Sequence, residues 1–142
     1  MEKDNLTNPI LLVEDNPVDL DLTLRAFKMK KLLNPIDIAR DGEEAIQYIN
    51  NWRVGNPLPI VILLDLKMPK VHGLEVLKEI KSNKYFKTVP VVILTTSSED
   101  SDVKTAYELG ANSYIIKPVD FEKFIEVAGQ IELYWRVLNK PV

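Results

Sequence analysis

The sequence contains no cysteine, which removes disulfides, thiolate metal sites and cysteine nucleophiles from its available chemistry. Glycine is scarce. The five present form neither a phosphate-cradling loop nor a dinucleotide fingerprint, and this excludes a nucleotide-binding protein. Long hydrophobic runs are missing as well. The longest purely aliphatic stretch covers residues 60–64 and cannot span a bilayer, and Met1-Glu2-Lys3-Asp4-Asn5 has neither the basic start nor the apolar run of a secretory signal. No membrane insertion is expected, and the expected location is cytoplasmic. The 18 lysines and arginines are scattered in a chain of net charge -3 and pI near 5.2, so direct nucleic-acid binding is not expected either. Internal repeats, low-complexity tracts and interdomain linkers are absent.

What remains is a chain of 142 residues, 46% hydrophobic and 27% charged, which is enough apolar matter for one core and one domain. Short β-rich apolar runs at 10–13, 36–39, 60–64, 91–94 and 114–116 alternate with longer helical patterns. Pro17 opens the first helix, in which Leu20, Leu24, Phe27 and Met29 follow at roughly helical spacing before the break at Asn34-Pro35. Residues 43–50 form a second helix. Gly73 starts a third, carrying Leu74, Leu77 and Ile80; residues 102–109 form a fourth that stops at Gly110; residues 121–138 form a fifth. Five β–α units in strict alternation predict a parallel sheet with right-handed crossovers and helices on both faces. The runs at 60–64 and 91–94 are apolar at successive positions, as in strands buried on both faces. A doubly wound α/β fold follows, and ligands of such folds bind beyond the carboxyl ends of the strands. Residues 50–59, with Gly55, Pro57 and Pro59, read as a long surface loop.

The strand ends carry the chemistry. Glu14 and Asp15 follow the first strand and Asp65 follows the third. Three carboxylates meeting at one edge repel one another unless a hard cation joins them, and an oxygen-ligand site with so few acids suits Mg2+, which keeps several waters and coordinates a phosphoryl oxygen. Thr95, Thr96, Ser97 and Ser98 follow the fourth strand and Lys117-Pro118 the fifth. A metal, a hydroxyl donor, an ammonium and a carboxylate nucleophile are what a phosphoryl group needs on its way to an aspartate. Taken singly, each of these residues is an ordinary helix cap or turn. Their arrival together at the same edge of an independently derived fold gives them a shared role.

These residues resemble the receiver domain of two-component response regulators. The matching pieces are Ile10-Leu11-Leu12-Val13-Glu14-Asp15 with Asn16, Leu63-Leu64-Asp65-Leu66-Lys67-Met68-Pro69 with Gly73, Val91-Val92-Ile93-Leu94-Thr95-Thr96, and Gly110-Ala111-Asn112-Ser113-Tyr114-Ile115-Ile116-Lys117-Pro118. The resemblance covers essentially residues 9–138 and implies a flavodoxin-like sheet of strand order 2-1-3-4-5; the chain reads as a single receiver domain over residues 1–142, whose long fifth helix overshoots it as a C-terminal helical extension at about 131–142. The resemblance also implies that Asp65 accepts a phosphoryl group from a sensor histidine kinase. Asp15, Asp65 and the backbone carbonyl of Lys67 would bind Mg2+ directly and Glu14 through a water. Thr95 and Lys117 would each take a phosphoryl oxygen, Tyr114 would be the aromatic switch, and Pro118 would follow a cis peptide bond. The protein would be a switch rather than an enzyme, acting on a downstream protein target or phosphotransfer protein, and its Tyr-Trp-Arg-Val-Leu-Asn-Lys-Pro tail resembles small regulators paired with phytochrome-type kinases.

Some positions depart from the family pattern. His72 stands where many relatives carry an acid and reads as solvated surface. Lys67 and Ser97 occupy two variable positions that, in the family, help set how fast the phosphoryl group is lost. Trp52 is expected to cover the end of the second helix. On the last helix, Phe124, Ala128, Ile131 and Trp135 form a stripe toward the sheet, while Val127, Tyr134 and Leu138 form a second one displaced around the axis. That second stripe predicts a two-fold homodimer through the fourth helix, fifth strand and fifth helix, tightened by phosphorylation. Two rivals are weighed against this reading. An aspartate-nucleophile phosphatase of the haloacid-dehalogenase type needs a second acid two residues after the nucleophile, where Lys67 stands. A phosphorylation-independent interaction module would lack one acid or Lys117, and none is lacking.

Overall fold

The computed structural model describes residues 8–31, 33–96 and 98–117. The elements run β1 (Ile10–Val13), α1 (Pro17–Met29), β2 (Ile36–Ala39), α2 (Gly42–Asn51), β3 (Val61–Leu64), α3 (Gly73–Ser82), a 3-10 turn (Phe86–Thr88), β4 (Val91–Thr95), α4 (Asp100–Glu108) and β5 (Ser113–Ile116). The strands form one parallel sheet in the order β2-β1-β3-β4-β5, as the alternation and the resemblance predicted. The fifth predicted helix, with Phe124, Val127, Ala128, Ile131, Tyr134, Trp135 and Leu138, lies outside the described residues, as do Ser97 and Pro118.

Parallel strands with crossover helices bury both faces of the sheet, so successive strand residues face different helices. Leu11, Val13, Ile62, Leu64, Val91 and Ile93 pack with Ala45, Ile49, Leu77, Ile80, Phe86 and Ala106 from the side of α2, α3 and α4. Ile10, Leu12, Val61, Leu63 and Val92 pack on the other face with Leu20, Ala26 and Phe27 of α1. Burying one such side chain stabilises by about 1.5–3 kcal/mol, which is why β1 and β3 contain no polar residue.

Side chains fix the helix starts. Asn16 caps α1 by accepting from the N–H groups of Val18 and Asp19 at 2.9 and 3.1 Å, with Pro17 in the first turn. Asp41 caps α2 by accepting from Glu44 N–H at 2.8 Å, and Glu44 returns a bond to Arg40 N–H at 3.0 Å, a variant of the capping box. His72 caps α3: its Nδ1 accepts from Leu74 N–H at 3.1 Å, so the residue read as solvated surface has a structural task. The end of α4 closes as the Gly110 signal predicted. Gly110, at φ +103°, allows Gly110 N–H to bond Tyr107 O and Ala111 N–H to bond Ala106 O, the paired bonds of a Schellman motif.

Candidate functional site

The parallel register brings the ends of β1, β3, β4 and β5 to one edge. Val13 pairs with Leu64 and Leu64 with Ile93, and the backbone bonding continues one residue further, with Asp65 N–H donating to Val13 O at 3.1 Å and Lys117 N–H to Thr95 O at 2.7 Å. Glu14, Asp65, Thr95 and Lys117 are all buried there, while Asp15 is half-buried. Gly73 lets the chain return beneath Asp65. A Cβ at that position would stand 2.3 Å from Asp65 O and 2.5 Å from Leu66 Cα, and Gly73 N–H donates to Leu66 O at 2.8 Å.

Lys117 is the electrostatic hub. Its ammonium, with the side chain only 2% exposed, donates to Glu14 Oε1, to Asp19 Oδ2 at 2.9 Å and to Asp65 Oδ2 at 3.2 Å. Three donors thus meet three carboxylates. Burial alone would lower its pKa, but the Glu14 hydrogen bond and the charges around it hold the group above its usual value, so it stays cationic. Burial pushes the Glu14 carboxyl up to about 7; Lys117 opposes the rise and the Asp65 charge adds to it. Glu14 Oε2 also accepts from Asn16 N–H at 3.2 Å, and Asp65 Oδ1 from Lys67 N–H at 3.3 Å.

One carboxylate oxygen from each of Glu14, Asp15 and Asp65 lies within 4.8 Å of the others. With Asp19 the edge holds four acids against one lysine, and that imbalance suits a divalent cation. The oxygen-only donor set belongs to a hard ion. Opposite ligands on Mg2+ stand about 4 Å apart, so the cluster can close on such an ion with little movement or with one acid held through water.

Thr95 ends β4 fully buried. Tyr114 pairs with Ile93 in β5, and its half-buried ring packs on the core beneath α2, α3 and α4. Lys67 lies at the rim, its ammonium 3.5 Å from Asp102 and 3.9 Å from Glu99 at the start of α4. Sequence reasoning gave Lys67 a backbone role and a place among the positions that set phosphoryl lifetime, without its contacts to α4, and missed Asp19. Asp19 belongs to the first turn of α1, where an acid is favoured by the helix dipole alone, so nothing local marks its reach to Lys117. Pro118, Val127, Tyr134 and Leu138 lie outside the described residues.

Comparisons with known proteins agree with this geometry. Residues 10–128 match the family model described as the response regulator receiver domain. The probable methanogenesis regulatory protein FilR2 of Methanothrix harundinacea is 42% identical over 132 residues, 92% of this chain and 85% of that protein. Response regulator Rcp1 of Synechocystis is 38% identical over 136 residues, 94% of this chain and 92% of that protein, and a solved Mn2+-bound form of response regulator Rcp1 superposes with a TM-score of 0.82 at 37% identity, covering 95% of this chain and 97% of that one. The phosphorylated cyanobacterial phytochrome response regulator RcpA superposes with a TM-score of 0.84 at 36% identity, covering 96% of this chain and 97% of that one.

Proposed function

We propose, from the premise that the chain belongs to the response regulator receiver domain family, that it is a phosphorylation switch with Asp65 as the acceptor. The observation that carries the assignment is the position of Asp65: a buried carboxylate 3.2 Å from the Lys117 ammonium, with oxygens of Glu14 and Asp15 within 4.8 Å. Receiver domains take their phosphoryl group from histidine kinases. An Asp65 oxygen attacks the phosphorus of a phosphohistidine, the P–N bond breaks, and its electron pair leaves on the imidazole nitrogen, which takes up a proton. Lys117 neutralises the charge gathering on the phosphoryl oxygens, and the Thr95 hydroxyl takes another of them. Asp15, Asp65 and the Lys67 carbonyl would hold Mg2+, with Glu14 reaching it through water. Bound there, the ion offsets the repulsion between the acids and the incoming phosphoryl group.

Occupation of Thr95 by the phosphoryl group frees space for Tyr114 to turn inward, and this transmits the event toward α4 and β5. Output is a change of protein–protein contacts, in the cytoplasm, with a downstream protein target or phosphotransfer protein. The similarity to RcpA and to a bacteriophytochrome response regulator, 47% identical over 96% of this chain, supports a phytochrome-type kinase as the donor. The chain acts as one receiver domain over 1–142, with the extension at about 131–142 joining two copies through Val127, Tyr134 and Leu138. Incubation with acetyl phosphate and Mg2+ tests the assignment by intact mass. One added phosphoryl group is expected in the parent and none in Asp65→Asn, whose amide is no nucleophile. A mass shift that persists in Asp65→Asn contradicts it.

A further inference from the structure

At the opposite edge of the sheet, away from the acids, lies a cavity of about 420 Å³, a volume in the range of small-ligand sites. Pro9, which immediately precedes β1, forms one wall. The rest is built by Asp37 of β2, Tyr48 and Asn51 of α2, and by Trp52, Asn56 and Pro57 in the loop after it. That loop is the part beyond α2 of the segment 50–59 read from the sequence as a long surface loop, and phosphoryl chemistry gives it no task.

The walls are braced. Trp52 packs on Tyr85 at 4.8 Å between centroids, with the rings tilted by 45°, and meets Phe86 edge-on at 5.9 Å. The loop is turned by Asn56 N–H bonding Arg53 O at 3.0 Å, with Gly55 at φ +102°. Asn8 ties its far end by donating to Leu58 O at 2.9 Å. A cavity held this way loses little freedom when it is filled.

One of its polar groups is incompletely used. Asp37 accepts the Tyr48 hydroxyl at 2.6 Å on Oδ2, while among the described residues no donor reaches its Oδ1. The cavity therefore offers a free carboxylate oxygen beside aromatic side chains, and no cation lines it. That combination selects a planar organic cation: a guanidinium pairs with carboxylate and stacks on aromatic rings.

We propose that this cavity binds an arginine, with its guanidinium on Asp37. The arginine comes either from a peptide segment or as the free amino acid. The site lies apart from the acid cluster and works whether or not Asp65 is phosphorylated.

The full chain carrying Trp135→Phe, in which Trp52 is the single tryptophan, gives one indole N–H resonance. N-acetyl-L-arginine-N-methylamide should move it saturably with Kd of about 1 mM, a value in keeping with a ligand of so few atoms. The citrulline analogue, equal in shape but uncharged, should not. Asp37→Asn, which keeps an acceptor for Tyr48, should raise Kd by at least about tenfold through loss of the charge-assisted bond. Saturation by free L-arginine as well would identify the amino acid as a sufficient ligand; saturation by the blocked derivative alone would identify a peptide. No saturable shift with either compound overturns the proposal, as does an equal response to the citrulline analogue. The citrulline comparison decides the matter even if Asp37→Asn fails to fold.

Discussion

At the scale of single residues, Lys117 decides how the acid edge is held together. A strand-end lysine was legible in the sequence, and so were Glu14, Asp15 and Asp65, because each follows a strand in a sheet whose alternation is plain. The Asp19 contact was not legible. It depends on how α1 leans over the edge, which no local pattern encodes. Removing the ammonium leaves Glu14, Asp19 and Asp65 facing one another, and breaking a buried pair in this way costs about 3 kcal/mol or more. Lys117→Gln is therefore expected to lower the urea midpoint markedly and to recover part of the loss in Mg2+; a variant as stable as the parent without metal contradicts the hub role. Tyr48 gives a separate test by pH. Burial first, and then the bond to Asp37, raise its pKa above the usual tyrosine value. A raised folded pKa means stability that is fully present below about pH 10 and is lost as the pH climbs above it. The parent should thus lose stability more steeply above pH 10 than Tyr48→Phe, which at pH 7 should itself cost about 1 kcal/mol. Equal slopes in alkaline urea titrations contradict the assignment.

At the scale of elements, the strands were readable because continuous apolar runs have one stable home, a sheet covered on both faces. Helix starts were readable at Pro17 and Gly73, where the structure also begins α1 and α3, and within one residue for α2. The α4 start lacks any side-chain cap, and the helix begins at Asp100, two residues before the position that the periodicity gave. The 3-10 turn Phe86–Thr88 is too short to show a period. His72 was misread because imidazole is not among the favoured capping groups, yet its Nδ1 bonds the first turn of α3. Replacing His72 with Ala should cost about 1 kcal/mol, with recovery in His72→Asn; thermal melts that do not separate the two contradict the capping role. Gly73→Ala is a harsher change, because the new methyl meets Asp65 O and Leu66 Cα. A cost of about 2–3 kcal/mol from overpacking is expected, together with slower phosphorylation by acetyl phosphate as the Asp65 backbone is displaced.

At the scale of the whole molecule, the doubly wound sheet separates two chemistries, with acids and Lys117 at the carboxyl edge and the Trp52 cavity at the other. No helix among the described residues is long and apolar enough to cross a membrane. Dimerisation through the extension is expected to appear in sedimentation as a dimer strengthened by beryllofluoride and abolished by Tyr134→Asp; a chain that stays monomeric at high concentration in both conditions contradicts it. Every step of the proposed switch begins at one carboxylate, so the most direct measurement locates the phosphoryl group itself. Borohydride reduces an acyl phosphate on aspartate to homoserine, which tandem mass spectrometry can place in the chain after treatment with acetyl phosphate and Mg2+. Homoserine at position 65 alone is the expected result. Homoserine at position 15 or 19, or at no position in a chain that has gained the phosphoryl mass, contradicts it.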